Sequence, residues 1–206
     1  MEIYDISMMI EQDMTVYKNR SERRPQLEQT RTIQTDGANE STLHLNTHTG
    51  THMDAALHML KDGDTIDEID LSRCLSPCKV LDLTGEKECI TAQSLQKKDI
   101  QKGDFVLLKT QNSFQDSFDF HFVFLEKSGA EYLRDVGVIG VGIDCLGIER
   151  DQPDHGTHKA LLPEGIIILE GLRLKDVQEG EYILSALPLK IRSSDGSPVR
   201  AVLFRF

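Results

Sequence analysis

The stretch FVLLKTQNSFQDSFDFHFVFLEKSGAEYLRDVGVIGVGI, residues 105–143, opens with FVLLK and closes with VIGVGI. In both runs apolar residues follow one another instead of alternating with polar ones. A strand of that kind is covered on both faces, as in the interior of a layered sheet. Between the runs, Ser128-x-x-Glu131 forms a capping-box pattern ahead of Tyr132 and Leu133 and predicts a helix capped at Ser128. Working outward, short strand candidates fall at 3–6, 30–35, 42–48, 79–83, 165–169, 182–186 and 201–206. Thr91 is placed to cap a helix over AQSLQKKDI that ends before Gly103. Strands and helices mix to the end of the chain, which predicts an α/β domain with a mixed sheet. No linker divides the 206 residues, so one domain over 1–206 is expected. The segments 18–25 and 111–122 read as long loops, which in compact domains often carry function.

Composition narrows the partners. The formal net charge of -11 gives no general attraction for phosphate backbones, so nucleic acid is not an expected partner. The N-terminus carries Glu2 and Asp5 where a signal peptide has a basic region, and no apolar run reaches the ~20 residues of a membrane span. Cys74, Cys78, Cys89 and Cys145 lack paired zinc spacing and read as reduced thiols of a cytoplasmic protein. The local exception to the acidic balance is Arg20, Arg23 and Arg24, either a solvated surface or a receiver for a carboxylate.

The chemistry concentrates in LHLNTHTGTHMDAALH, 43–58, which holds four of the seven histidines. His48 and His52 are four apart, but Thr47, Thr49, Thr51 and Gly50 disfavour a helix. In an extended chain His48, Gly50, His52 and Asp54 would share one face, with Gly50 leaving a gap for an ion. Two imidazoles and a carboxylate leave a divalent ion an open position for water, the pattern of a catalytic site. Such water can lose its proton near neutral pH. His58 follows Asp54 by four residues; a short helical turn would return it toward Asp54, better placed as acid/base than as a ligand.

HTGTHMDAALH resembles the H-x-G-T-H-x-D-x-P-x-H motif of the cyclase family, which includes bacterial kynurenine formamidases, isatin hydrolases and related metal-dependent hydrolases. LLKTQNS at 107–113, GVGIDCLGIE at 140–149, HKALLPEGIIILEGL at 158–172 and DGSPVRAVL at 195–203 resemble later family segments in the same order. The resemblance covers nearly the whole chain. It implies a swivelling β/β/α-type domain and an oligomer, a homodimer or homotetramer, with loops near the neighbouring active site. It implies one or two Zn²⁺ ions, with Mn²⁺ as the alternative. His48, His52 and Asp54 match the first-metal ligands and His58 the proton carrier. His158 and Glu170, which alone would read as surface groups, match the remaining ligands.

The implied activity is hydrolysis of a small amide by an arylformamidase-like enzyme, through metal-bound hydroxide, with N-formylkynurenine or a related aryl formamide as substrate. The alternatives are a cyclic amide or lactone hydrolase, a cyclase, and a metal-dependent small-ligand binder without turnover. The chain departs from the family early: Lys18 and Asn19 replace Pro and Gly after the aromatic Tyr17. Ala56 stands where proline is frequent, Gly147 replaces a serine, and tryptophan is absent. An aromatic substrate would stack on Tyr17 or on the phenylalanines of 118–124. Its carboxylate would pair with Lys18, Arg20 or Arg23. Of the other candidates, His44 is expected to pack in the core or beside a ligand, His121 in the core or an interface, and Thr51 to orient the loop or a ligand. His155 is expected to be a loop residue, and Asp144 a buried, paired carboxylate supporting the site.

Overall fold

The computed structural model describes residues 1–205. Among these the strands are β1 (Glu2–Asp5), β2 (Gln26–Arg31), β3 (Glu40–His44), β4 (His52–Asp54), β5 (Leu75–Asp82), β6 (Cys89–Ile90), β7 (Phe105–Lys109), β8 (Phe124–Leu125), β9 (Gly140–Ile143), β10 (Ile167–Glu170), β11 (Gly180–Ser185), β12 (Gly196–Pro198) and β13 (Val202–Arg205). The helices are α1 (Ile33–Asp36), α2 (Ala92–Leu95), α3 (Lys127–Val136) and α4 (Gly156–Leu161), with short 3₁₀ turns between elements. Nine strands form one sheet in the order β1-β13-β11-β5-β7-β9-β10-β4-β12. The steps β5–β7, β7–β9 and β9–β10 are parallel, and the outer steps are antiparallel. This is the expected α/β architecture with a mixed sheet.

The centre of the sheet is covered on both faces. Val106 and Leu108 join Val141, Ile143 and Leu133 in one buried cluster. Phe105 and Leu107 join Met53, Leu169 and Leu172 in the other. The glycines of VIGVGI are part of this packing. A Cβ on Gly142 would lie 2.6 Å from Leu172 Cδ1 and 2.7 Å from Leu107 Cδ2, and one on Gly140 would enter the Phe105 ring. The strand alternates large residues toward one layer with hydrogen toward the other, where its neighbours' side chains already fill the space.

Several local expectations change. α3 starts at Lys127 and is capped by Glu126, whose carboxylate accepts from the Ser128 backbone N–H at 2.9 Å. Ser128 sits in the first turn; a charged acceptor at the positive helix end displaced it as cap. Thr91 does cap α2, accepting from Ser94 N–H, but the helix spans only Ala92–Leu95. The 30–35 candidate divides: β2 ends at Arg31, and α1 begins at Ile33 because Asp36 and Asn39 side chains accept from the Thr32 and Ile33 N–H groups. The 42–48 candidate stops at His44, which is exposed rather than packed. His121 is also exposed, although Phe122 and Phe124 on either side of Val123 are buried. The 201–206 candidate is β13 as far as Arg205; Phe206 lies outside the described residues. Among the described residues no helix is long and apolar enough to cross a membrane, and all four cysteines are unpaired.

Candidate metal centre

The site forms where β4 pairs with β10. In that register His52 faces Glu170 and Asp54 faces Ile168. Directly opposed residues share a face, as do residues two apart on one strand. His52, Asp54 and Glu170 therefore project together. His52 Nε2 lies 3.3 Å from Glu170 Oε2 and 3.5 Å from Asp54 Oδ1. The ring is oriented from behind, since its Nδ1 lies 2.9 Å from the Gly50 carbonyl oxygen and donates to it. That leaves Nε2 free to act as a ligand. Glu170 is held by the Ile148 N–H at 2.5 Å.

His48 arrives by a turn, not by strand alternation. Residues 47–51 are bent and Gly50 has φ +67°. Gly50 leaves no gap for an ion: a Cβ there would lie 3.0 Å from Ile10 Cδ1, and its carbonyl crowds Gly171, itself at φ +70°. The role expected of Gly50 thus belongs to the turn, which swings His48 back over Asp54. His48 Nδ1 is 2.9 Å from Asp54 Oδ1 and Nε2 is 3.0 Å from Asp195 Oδ2. Gly196 on β12 makes the room, since a Cβ would stand 2.7 Å from His48 Cε1. Thr51 orients the loop as expected, donating to the Gly171 carbonyl at 2.6 Å and accepting from Met8 N–H at 2.8 Å.

α4 brings His158 from the other side. Its Nε2 lies 3.5 Å from Asp54 Oδ2 and 3.8 Å from Glu170 Oε1. Its buried Nδ1 is 2.8 Å from Glu149 Oε1, an ion-pair distance without hydrogen-bond alignment. His58 ends a 3₁₀ turn over Ala56–His58, and its ring centroid is 4.1 Å from that of His48. Possible ligand atoms of His48, Asp54 and His58 lie within 4.8 Å of one another, as do those of His52, Asp54 and Glu170.

The electrostatics ask for positive charge. Burial disfavours a charged His48, but Asp54 and Asp195 outweigh it and raise the imidazole to about 9. His158 is raised against burial to about 10 by Asp54, Glu149 and Glu170. Asp54 is held well below the usual carboxylate range despite its burial, chiefly by His158 and His48. Burial lowers His58. Asp54 Oδ2 is buried with no hydrogen-bond partner. A buried carboxylate with one orphaned oxygen, three imidazole nitrogens at 2.9–3.5 Å from its two oxygens, and a second carboxylate beside two of those imidazoles make the donor set of a divalent ion, so the residues fit a metal.

A cavity of about 710 Å³ opens on this cluster, lined among others by Tyr17, Lys18, Arg23, His58, His155 and Asp195. Arg20 does not line it and is exposed; Arg23, one short 3₁₀ turn later, does, with its guanidinium over the Tyr17 ring. Lys18 and Asn19, in place of Pro and Gly, adopt positive φ of 56° and 52°. Gly147, in place of serine, gives the Tyr17 ring space, since a Cβ would lie 2.9 Å from Tyr17 Cε2. Of the phenylalanines, Phe118 meets Tyr17 edge-on at 5.4 Å, whereas Phe122 and Phe124 belong to the core.

Glu149 and Asp195 escaped the sequence reading. Both stood inside quoted segments, Glu149 at the end of GVGIDCLGIE and Asp195 at the start of DGSPVRAVL. A carboxylate in a segment without neighbouring ligands gives no signal of its own. His155 is likewise more than a loop residue, with Nδ1 2.6 Å from Glu149 Oε1.

The family described as "Putative cyclase" matches residues 4–150. The kynurenine formamidase of Salinibacter ruber is 38% identical over 80% of this chain and 79% of its own length. That of Delftia acidovorans is 34% identical over the same shares. A solved structure described as a potential metal-dependent hydrolase with cyclase activity superposes with TM-score 0.91 at 47% identity, covering 98% of this chain and 96% of that one. An isatin hydrolase, at 23% identity and TM-score 0.86, shares the fold. The chain belongs to the cyclase family, and the two solved structures it resembles at 46–47% identity are described as a potential and a predicted metal-dependent hydrolase.

Proposed function

We propose that the protein is a divalent-metal-dependent amidohydrolase of the arylformamidase kind, with N-formylkynurenine or a related aryl formamide as substrate. The observation that carries this is the gathering of His48, His52, His158 and Glu170 around the buried Asp54 carboxylate, one oxygen of which has no partner, at the wall of an open cavity. The similarity to several kynurenine formamidases favours the formamide. The five residues would hold one or two ions, and Zn²⁺ is favoured over Mn²⁺ by the three imidazoles. When bound, the metal supplies Lewis acidity and lowers the pKa of water.

The chain's own groups do the rest. His58 faces the cavity beside His48, with Nδ1 3.8 Å from Asp195 Oδ2, and passes a proton to the leaving nitrogen. Tyr17, which lines the cavity and is backed edge-on by Phe118, offers its ring to the aryl group. Lys18 and Arg23 grip an amino-acid carboxylate at the rim, which an otherwise acidic chain would repel. The hairpin β2–β3 is exposed along both strands, with Leu27, Ile33 and Leu43 about half or more accessible. An isolated hairpin is at best marginally stable, so this arm suits the surface of a second copy in a homodimer or homotetramer.

The test is metal analysis with a hydrolysis screen. The protein should carry Zn²⁺ or Mn²⁺ and hydrolyse N-formylkynurenine. His58→Ala should keep the metal and lose on the order of 10²–10⁴ in rate. Arg23→Ala should hurt the charged substrate more than plain formanilide. A protein that opens isatin and spares both formamides would be a cyclic-amide hydrolase instead. One that binds neither metal would end the proposal.

A further inference from the structure

Glu149 is buried, lies in the loop between β9 and α4, and is the hub of a polar cluster on the α4 side of the cavity. One oxygen, Oε1, lies 2.8 Å from His158 Nδ1 and 2.6 Å from His155 Nδ1. The other, Oε2, accepts from the Thr157 N–H at 3.0 Å and from Gln152 Nε2 at 3.0 Å. Gln152 Nε2 also reaches Thr157 Oγ1 at 2.7 Å, and Thr157 Oγ1 donates to the Leu125 carbonyl at 2.7 Å. The carboxylate is therefore fixed by the first turn of α4 and by the core beneath it.

The two histidines it touches look in different directions. His158 turns its Nε2 toward Asp54 and Glu170 and is nearly inaccessible. The His155 side chain is 53% exposed, has the left-handed φ of 52°, and lines the cavity. A left-handed non-glycine residue is strained and persists only where the surroundings over-determine it. Here the surroundings include the contact to Glu149. With Nδ1 taken by the carboxylate, the remaining nitrogen of the His155 ring lies on the opposite edge, away from Glu149.

We propose that Glu149 is a positioning residue with two outputs. Its negative charge, 2.8 Å from His158 Nδ1, favours the tautomer with the proton on Nδ1, so that Nε2 carries the lone pair toward the metal, and it holds His155 as a hydrogen-bonding group of the cavity wall for a polar substituent of the substrate. This rests on His158 being a metal ligand. An acidic partner behind a ligating histidine raises its basicity, and losing one typically costs 10–100-fold in metal affinity.

The experiment compares Zn²⁺ affinity, by competition with a chromophoric chelator, and the visible spectrum of the Co²⁺-loaded protein, in wild type, Glu149→Gln, Glu149→Asp and His155→Ala. Glu149→Gln should bind Zn²⁺ 10–100-fold more weakly and shift the Co²⁺ spectrum, and Glu149→Asp should recover part of both by restoring the charge. His155→Ala should keep affinity and spectrum while raising KM for the hydrolysed substrate with little change in kcat. Wild-type affinity and spectrum in Glu149→Gln would overturn the positioning role alone. So would affinity losses that merely follow the fall in melting temperature of the metal-free variants. An unchanged KM in His155→Ala would remove the cavity-wall role. A wild type that binds no metal would remove this inference together with the metal centre.

Discussion

Asp144 and Asp54 are both 2% exposed, and both lie at strand ends of the same sheet, yet they are treated in opposite ways. Asp144, just after β9, is surrounded by donors. Its oxygens accept from the Thr110 N–H and hydroxyl, the Ser113 N–H and hydroxyl, and Asn112 Nδ2, at 2.6 to 3.3 Å. Burial still pushes its carboxyl up, against the pull of those bonds. Asp54 has imidazoles for neighbours and one oxygen with no partner. A buried carboxylate that is fully hydrogen-bonded ties a structure together; one left short of donors calls for a cation. The first organises the TQNS turn at 110–113, and the second marks the candidate metal centre.

Substitution at the two positions should separate these roles. Chelation of the metal, or Asp54→Asn, should bring hydrolysis to background. In wild type, added Zn²⁺ at about 100 times its Kd should stabilise the fold by about 2.7 kcal/mol, and Asp54→Asn should erase that increment. A variant that still gains stability from Zn²⁺ would break the contrast on the Asp54 side. Asp144→Ala should instead lower the stability of the metal-free protein by about 3–5 kcal/mol, because five donors lose a buried acceptor. Denaturant unfolding without metal reads this directly, and a loss below about 1 kcal/mol would mean that the turn does not need its carboxylate.

A smaller effect sharpens the comparison at the rim of Asp54. Gly196→Ala pushes a methyl group against the His48 ring and should cost about 1–3 kcal/mol. It should weaken metal binding as well, whereas an effect on stability alone would make Gly196 only a packing residue. The smallest effect lies far from either carboxylate. Arg200 pairs with Asp5 at the surface, with side chains 75% and 45% exposed, and Arg200→Ala should leave the denaturant midpoint essentially unchanged. A measurable loss would show that exposed carboxylates matter here as much as buried ones.

What could be read in advance follows the reach of local interactions. The two-sided apolar runs of β7 and β9 gave the central sheet, because a strand buried on both faces must be apolar at successive positions. The His48/His52/Asp54 spacing gave the metal cluster, because ligands on one short segment arrive together whatever the turn between them. β4 and β12 escaped, being three residues each, too short for any periodicity. The helix cap at Glu126 and the exposure of His44 also escaped, since a competing acceptor and an uncovered hairpin are invisible to a local window.

His158 and Glu170 were reached only through resemblance to relatives, and Glu149 and Asp195 only through the structure, which also chose Arg23 over Arg20 among the cations named in advance. These groups come from segments separated by up to 147 residues, as in the His48–Asp195 contact. The sequence by itself determined which residues can bind a cation and which strands lie inside. The tertiary structure decided which carboxylate is left without a donor, because that depends on the register that sets His52 against Glu170 and on the helix that brings His158 to Asp54.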